Sequence, residues 1–233
     1  MKRMLSLLFT LSISLPLMGS SQAETDGIIL KDYASKSLLN QSLVLNSPNL
    51  LGNIIILPTE PFDELKAAEI ISRIDNLPYS LLKKIANEHI KVKLFVGKLT
   101  DNPTASDLAG IIPRGYKNGT TWDDVPGIGG SKTVLVKIGN SEKGKGHSSV
   151  NLELHELAHS IDRHVYDGIR YDDKFLSAWN KEKTLLFPNN DYFLSFPEEY
   201  FAETFAMYYL GGKDRRLLKE KAPETYKFIK KLN

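Results

Sequence analysis

Two histidines one helical turn apart, with a glutamate next to the first, are the residues of this sequence best suited to chemistry. They stand in VNLELHELAHSID, residues 150–162, as His155, Glu156 and His159. Side chains four residues apart on an α-helix share one face, so both imidazoles reach one metal ion at about 2.0–2.1 Å. Glu156 is rotated by about 100° from His155, which suits a general base for water rather than a ligand. The pattern predicts a zinc-dependent hydrolytic site.

The motif requires a helix, and its surroundings favour one. Apolar residues that can pack this helix into a core are Val150, Leu154, Leu157, Ala158 and Ile161. Ser148 or Ser149 is the predicted N-cap, and Asp167-Gly168 is the predicted stop. Glu153 lies roughly opposite His155 and is predicted to be solvated. Asp162, three residues after His159, either orients a ligand histidine or binds local backbone donors.

A catalytic zinc site needs a third protein ligand. The chain has no cysteine, and the extension HExxHxxGxxH is absent, because Asp162 and Val165 stand where Gly and His would be. The best candidates lie in PEEYFAETFAMYYLGG, residues 197–212, which reads as a helix from Pro197 to a Gly-Gly stop. Here Glu199 and Glu203 share one face, and Glu198 is adjacent. Spacing alone does not choose among the three glutamates.

The rest of the chain predicts a mixed lobe at 24–147 and a mainly helical lobe at 148–233, with the site in the cleft between them. Strands are predicted at 53–58, at 90–97 with one wet face, and at 133–139. One helix is predicted to begin near Pro61 and another to span 79–88. Residues 110–130 form a long loop rich in turn signals, and loops of this length are commonly functional. The fold class expected is α+β.

Composition limits the environment and the partners of the protein. Residues 1–23 have a basic start, a short apolar run and a small-residue exit, which predicts a cleaved signal peptide and a secreted protein. Without Lys2 and Arg3, the chain carries 28 basic and 28 acidic residues. This balance gives no indication of nucleic acid or a membrane as partner, and we expect a monomer without disulfides.

Taken together, HELAHSID, Tyr192 and EEYFAETF resemble the anthrax-lethal-factor-like zinc metalloproteases. In that family a tyrosine precedes the third-ligand glutamate by seven residues, as Tyr192 precedes Glu199 here. The resemblance implies a zincin-like fold, one zinc ion bound by His155, His159 and Glu199, and Glu156 as general base. It also implies that Tyr192 stabilises the oxyanion and that Glu203 supports a ligand.

The motifs PRGY and TWDDVPGIGG, followed by a histidine eight residues before the HExxH motif, are similar to the secreted bacterial Pro-Pro endopeptidases. This resemblance implies cleavage between two prolines of a surface adhesion protein. It places His147 and Glu198 near the substrate, and Tyr116 where a tryptophan is expected. The expected substrate surface comprises the 110–130 loop and an edge strand at 133–139. The alternatives are a toxin protease acting on a host protein and a non-catalytic peptide-binding module.

Overall fold

The protein, described by a computed structural model over residues 26–115 and 119–232, is an α+β structure. The predicted signal peptide and Tyr116 lie outside the described residues. The strands are β1 (Ile28–Ile29), β2 (Ile55–Leu57), β3 (Lys91–Phe95), β4 (Gly127–Ile128) and β5 (Thr133–Lys137). The helices are α1 (Leu38–Ser42), α2 (Pro48–Ile54), α3 (Glu64–Asp75), α4 (Tyr79–Asn87), α5 (Leu152–Ser160), α6 (Asp173–Leu186), α7 (Asp191–Ser195), α8 (Pro197–Leu210), α9 (Gly212–Lys221) and α10 (Pro223–Lys230).

The five described strands form one sheet in the order β1-β2-β3-β5-β4. The three central strands run parallel, and the two outer strands run antiparallel to their neighbours. All described strands precede residue 138, and the chain after residue 151 is helical. Among the described residues, no helix has both the length and the apolar character needed to cross a bilayer.

Two predictions about the strands are wrong. The strand at 133–139 is not an edge strand, because β5 lies between β3 and β4; the edge is β4, two residues within the predicted loop. The strand at 90–97 lacks the predicted wet face, since Lys91 is half-buried and the other residues of β3 are buried. Lys93 is buried there, and its ammonium group reaches Asp26 at 2.7 Å. The basic residue in this alternating pattern is therefore buried along its side chain and reaches an ion-pair partner at its end, so the alternation does not mark a solvated face.

Two helix starts also differ from expectation. The helix after Pro61 begins at Glu64, because the side chain of Asp63 accepts a hydrogen bond from the Lys66 N–H and caps it. The cap of α5 is Asn151, whose side chain accepts from the Leu154 N–H, rather than Ser148 or Ser149. The stop after α5 lies where predicted. A π-helical turn at Ile161–Val165 leads to Asp167 and Gly168, which both have positive φ.

Candidate active site

Two buried helices that pack against each other, α5 and α8, carry the candidate metal ligands. Helix α5 is apolar on the sides that face the core, where Leu154 and Leu157 are fully buried. Helix α8 begins with Pro197 at its first turn and is buried along most of its length, including Phe201 and Phe205. Neither helix can shift its ligands without disturbing this packing, so the core fixes the geometry of the site.

The ligand atoms of His155, His159 and Glu199 meet at one point. Glu199 Oε2 lies 3.4 Å from His155 Nε2 and 3.3 Å from His159 Nε2. The two imidazole nitrogens are 3.3 Å apart. A tetrahedral ion with ligands at about 2.0–2.1 Å separates them by roughly 3.3–3.4 Å, so the three groups fit a single zinc-sized ion. This is the one group of such ligands among residues 26–115 and 119–232.

The charges around these ligands call for a cation. Burial disfavours a charged imidazole, yet the adjacent Glu199 and Glu203 carboxylates raise the pKa of His155 to about 10. Burial likewise disfavours the Glu199 carboxylate, but its two histidine neighbours hold its pKa well below the usual range. Two carboxylates in a buried pocket need positive charge beside them, which a divalent ion supplies.

Glu203 supports one ligand from behind. Its Oε2 lies 3.1 Å from His155 Nδ1, and its Oε1 accepts a hydrogen bond from the Val150 N–H at 2.9 Å. A carboxylate at Nδ1 fixes the imidazole with Nε2 free for a metal. Glu203 is buried, so both oxygens are committed to these donors.

Glu156 faces the cleft beside the ligands. It is half-buried and lines the cleft together with His155 and His159. The edge strand β4 passes close by, since a Cβ added at Gly127 would lie 3.0 Å from the Glu156 Cγ. Glu156 thus lines the cleft with the two histidines without belonging to the ligand group, as a base for water requires.

Tyr192 on α7 lines the same cleft as the ligands and β4. Burial, followed by the nearby Glu199 carboxylate, raises the pKa of its phenol. The 110–130 loop touches it, because a Cβ at Gly115 would lie 3.0 Å from Tyr192 Cε2. At Gly115, with φ +89, glycine permits both the turn and this approach.

Sequence reasoning missed Arg114, which connects the loop to the ligand helix. Its Nη2 donates to Glu198 at 2.9 Å and to Glu199 at 3.3 Å, and its guanidinium carbon lies 3.9 Å from the centre of the Phe196 ring. Glu198 is therefore at the cleft, as expected, but it is paired with the loop. The available signal was a single arginine two residues before Tyr116 in PRGY.

His147 also lines the cleft, on the connection that precedes α5. Its Nε2 donates to the Asn140 carbonyl at 2.7 Å, and burial lowers its pKa below 6.5. Its Nδ1 is buried and has no hydrogen-bond partner among the described residues. A neutral ring with Nε2 protonated leaves Nδ1 as an acceptor.

The edge strand continues beyond β4 and is bound to the end of α5. The Gly130 N–H donates to Ser160 Oγ at 3.0 Å, and that hydroxyl donates to the Ser131 carbonyl at 2.8 Å. Gly129 lies so near the helix that an added Cβ would be 1.9 Å from the Glu156 carbonyl oxygen. The glycines of GIGG thus let the strand run along the HExxH helix, and the free edge of β4 faces the cleft.

Two acidic neighbours of the motif have structural contacts. Glu153 is fully buried, not solvated, because α3 packs against α5 here and Arg73 of α3 reaches Glu153 at 2.9 Å. Asp162 is also fully buried, and its carboxylate accepts from the Arg170 N–H and guanidinium at 3.0 and 2.6 Å. Of the two roles considered for Asp162, the structure shows the binding of local donors.

Comparisons with known proteins agree with this geometry. The family described as anthrax toxin lethal factor, N- and C-terminal domain, matches residues 44–232. A Pro-Pro endopeptidase of Paenibacillus alvei is 38% identical over 185 residues, which are 79% of this chain and 85% of that protein. A Pro-Pro endopeptidase of Clostridioides difficile is 40% identical over 194 residues, 83% of this chain and 87% of that protein.

A solved structure leads to the same group. The Pro-Pro endopeptidase from Paenibacillus alvei superimposes with a TM-score of 0.75 and 38% identity, over 79% of this chain and 100% of its own. The chain is therefore a peptidase that belongs to the anthrax-lethal-factor-like family, in the group of the Pro-Pro endopeptidases.

Proposed function

We propose that the protein is a secreted, zincin-like zinc endopeptidase that hydrolyses the bond between two prolines. The observation that carries the proposal is the triangle of His155, His159 and Glu199, with Glu156 beside it in an open cleft. The relatives named for Pro-Pro cleavage support the specificity. The predicted signal peptide at residues 1–23 supports export, and the expected substrate is a proline-rich peptide or surface protein.

A zinc ion at these ligands would polarise the scissile carbonyl and make a water acidic enough to attack near neutral pH. Glu156 accepts the proton of the attacking water and then delivers it to the departing proline nitrogen. Glu203 holds His155 in the tautomer that leaves Nε2 for the metal. Each of these roles needs only small side-chain motion, because α5 and α8 are packed into the core.

The negative charge that develops on the carbonyl oxygen needs donors in the cleft. Tyr192 supplies a phenol O–H there, and its raised pKa keeps it protonated at neutral pH. Arg114 adds positive charge from the loop, two residues before Tyr116.

A Pro-Pro bond offers a protease no N–H on either proline, so backbone pairing is limited to flanking residues. The free edge of β4 can pair with those flanking residues, in the manner of strand addition. Aromatic side chains in the cleft, including Trp122, Tyr192 and Phe196, provide flat apolar surfaces for the rigid proline rings. The cleft, about 1430 Å³, accommodates several residues of extended peptide.

The test is a library of peptides with a central Pro-Pro pair between varied residues, incubated with the purified protein. We expect cleavage between the prolines, one equivalent of zinc by mass spectrometry, and loss of activity with a chelator. Cleavage only at other bonds would overturn the specificity, and a metal-free active enzyme would overturn the mechanism.

Glu156→Gln sharpens the test, because it removes the base and retains the ligands. We expect kcat to fall by about 10²–10⁴-fold with zinc content unchanged. Glu153→Gln is the matched control, since this glutamate lies on the same helix but pairs with Arg73 away from the cleft. Its variant should lose stability and keep most of its kcat; a Glu156→Gln enzyme as active as this control would contradict the assigned role.

A further inference from the structure

The face of α5 that carries the candidate metal ligands is followed, one turn later, by an arginine. His155, His159 and Arg163 follow at intervals of four residues, and Arg163 lies on the π-helical turn directly after α5. All three line the cleft. Arg163 Nη1 donates to the Gly130 carbonyl at 2.9 Å, which holds the guanidinium at the end of the edge strand. The side chain is exposed, and no carboxylate of the described residues lies within ion-pair distance of it.

A second guanidinium stands next to the first. Arg170 lines the same end of the cleft and is fixed there by the buried Asp162. Both oxygens of Asp162 accept hydrogen bonds from Arg170, one from its backbone N–H and one from its guanidinium. The two arginines also border a side pocket of about 170 Å³ with Tyr171 and Asp167. Asp167 lines that pocket only, and the charge of Arg170 is balanced by Asp162, so Arg163 is the cation at this end of the cleft whose charge no described carboxylate balances.

This end of the cleft lies within reach of a bound peptide. Four residues of helix advance about 6 Å, and an extended peptide advances about 3.3 Å per residue. When the length of the arginine side chain is added, the Arg163 guanidinium lies about two to four peptide residues from the scissile bond, which would be held at the ligands. The edge strand runs from Gly127, near Glu156, to Gly130, near His159, so a peptide paired with it passes Arg163.

We infer that Arg163 binds an acidic side chain of the substrate, two to four residues from the scissile bond. The inference rests on the proposed function and adds a preference for charge to it. A guanidinium suits this task because it offers paired N–H groups to a carboxylate, and Nη1 alone is used by Gly130. Arg163 thus serves as a specificity residue and not as part of the catalytic machinery.

The experiment pairs substrates with variants. Peptides with a central Pro-Pro carry one Asp, or the isosteric Asn, at the second, third or fourth residue on either side of the bond. For wild type we expect kcat/KM about five-fold higher with Asp at one of these positions, the upper end for an exposed ion pair. Arg163→Gln should reduce this ratio to about one, Arg163→Lys should restore part of it, and added salt should weaken it.

The controls separate this role from two others. If Arg163 only holds Gly130, Arg163→Gln will lower kcat/KM equally for Asp and Asn peptides, and the inference is overturned. Lys132→Gln removes a nearby positive charge that pairs with Glu88 outside the cleft, so it should leave the ratio unchanged. An equal loss of the ratio in this control would assign the effect to general surface charge and also overturn the inference.

The failure of the proposed function is visible separately. If wild type cleaves no Pro-Pro peptide, that function is rejected, whatever the charge of the peptide. The affinity of the Glu156→Gln variant for the same Asp and Asn peptides can then be measured by fluorescence anisotropy. The ratio of the two affinities tests the role of Arg163 without catalysis. Equal affinity for the Asp and Asn peptides at every tested position, in the protein that retains Arg163, would by itself reject the binding of an acidic side chain at Arg163.

Discussion

The helices that carry the ligands and the loop that borders the cleft are held in place by different forces. Helices α5 and α8 pack through fully buried side chains such as Leu157 and Phe205. The 110–130 loop instead exposes Ile111 and Ile112, and polar bonds fix it at both ends. Apolar packing positions atoms within tenths of an ångström, whereas a few polar contacts allow rearrangement. The helices therefore fix the geometry of the candidate ligands, and we expect the loop to affect mainly how a substrate is held.

After that of Glu156→Gln, the largest expected effect tests the helical side of this comparison. Glu203→Gln retains the shape of the side chain but offers one acceptor to two donors, the Val150 N–H and His155 Nδ1. We expect zinc affinity or activity to fall about 10–100-fold. Competition with a coloured chelator measures the affinity.

Glu182→Gln is the matched control for that loss. Glu182 is another buried carboxylate, and it accepts the backbone N–H groups of Glu224 and Thr225 far from the ligands. Both variants should unfold at lower temperature, but this one should bind zinc as tightly as wild type. Equal zinc affinity in the two variants would remove the supporting role from Glu203.

A smaller effect tests where the two regions meet. Gly129→Ala would place a methyl group against the Glu156 carbonyl, which is backbone and cannot move aside. We expect about 1–3 kcal/mol of destabilisation in a urea titration, together with a higher KM, because the edge strand must retreat from α5. Zinc content should not change, since both ligand helices remain packed.

Gly52→Ala provides the comparison for that variant. Gly52 lies within α2, where the added methyl meets the Lys31 Cβ at 3.2 Å. This variant adds the same methyl group without touching the cleft, so KM should stay at the wild-type value. If Gly129→Ala is equally harmless, the strand is not held against the helix as the structure shows.

The same contrast explains what the sequence predicted. The HExxH pair was predictable because its geometry is local: two side chains four residues apart on one helix. Glu199 was one of three glutamates by spacing, and only the seven-residue interval from Tyr192 favoured it. Glu153 was assigned wrongly because helical periodicity gives the face of a residue but not what packs there. Its partner Arg73 is 80 residues away in the sequence.

The edge strand β4 could not be predicted from the sequence, because its identity also depends on distant contacts. Strand β4 has two residues, too few for alternation to be recognised, and it lies among turn signals. The predicted strand at 133–139 exists as β5, but its place inside the sheet depends on pairing with β3 and β4. Pairing between distant segments sets the order of strands, and no local pattern in this chain encodes it.

The smallest effect concerns the loop alone. The Asp123 carboxylate accepts from the Gly110 N–H and from the Thr100 and Thr121 hydroxyls at 2.7–2.9 Å. These bonds, that of Gly110 first, lower its pKa from 3.8 to about 2. Asp123→Asn removes the charge and one acceptor, so the loop should loosen at its base. We expect KM for a Pro-Pro peptide to rise a few-fold while kcat and zinc content stay near wild type.

The pH dependence gives this last prediction a second readout. Because the folded pKa lies below the ordinary value, the carboxylate stabilises the folded state above pH 3.8, and this contribution is lost as pH falls towards 2. The difference in melting temperature between wild type and Asp123→Asn should therefore be constant above about pH 5 and shrink below pH 4. Asp107→Asn, which changes an exposed residue of the same region, should leave KM at the wild-type value. If kcat of Asp123→Asn falls by the same factor as KM rises, the loop also positions the catalytic groups. The distinction between the ligand helices and the loop would then be wrong.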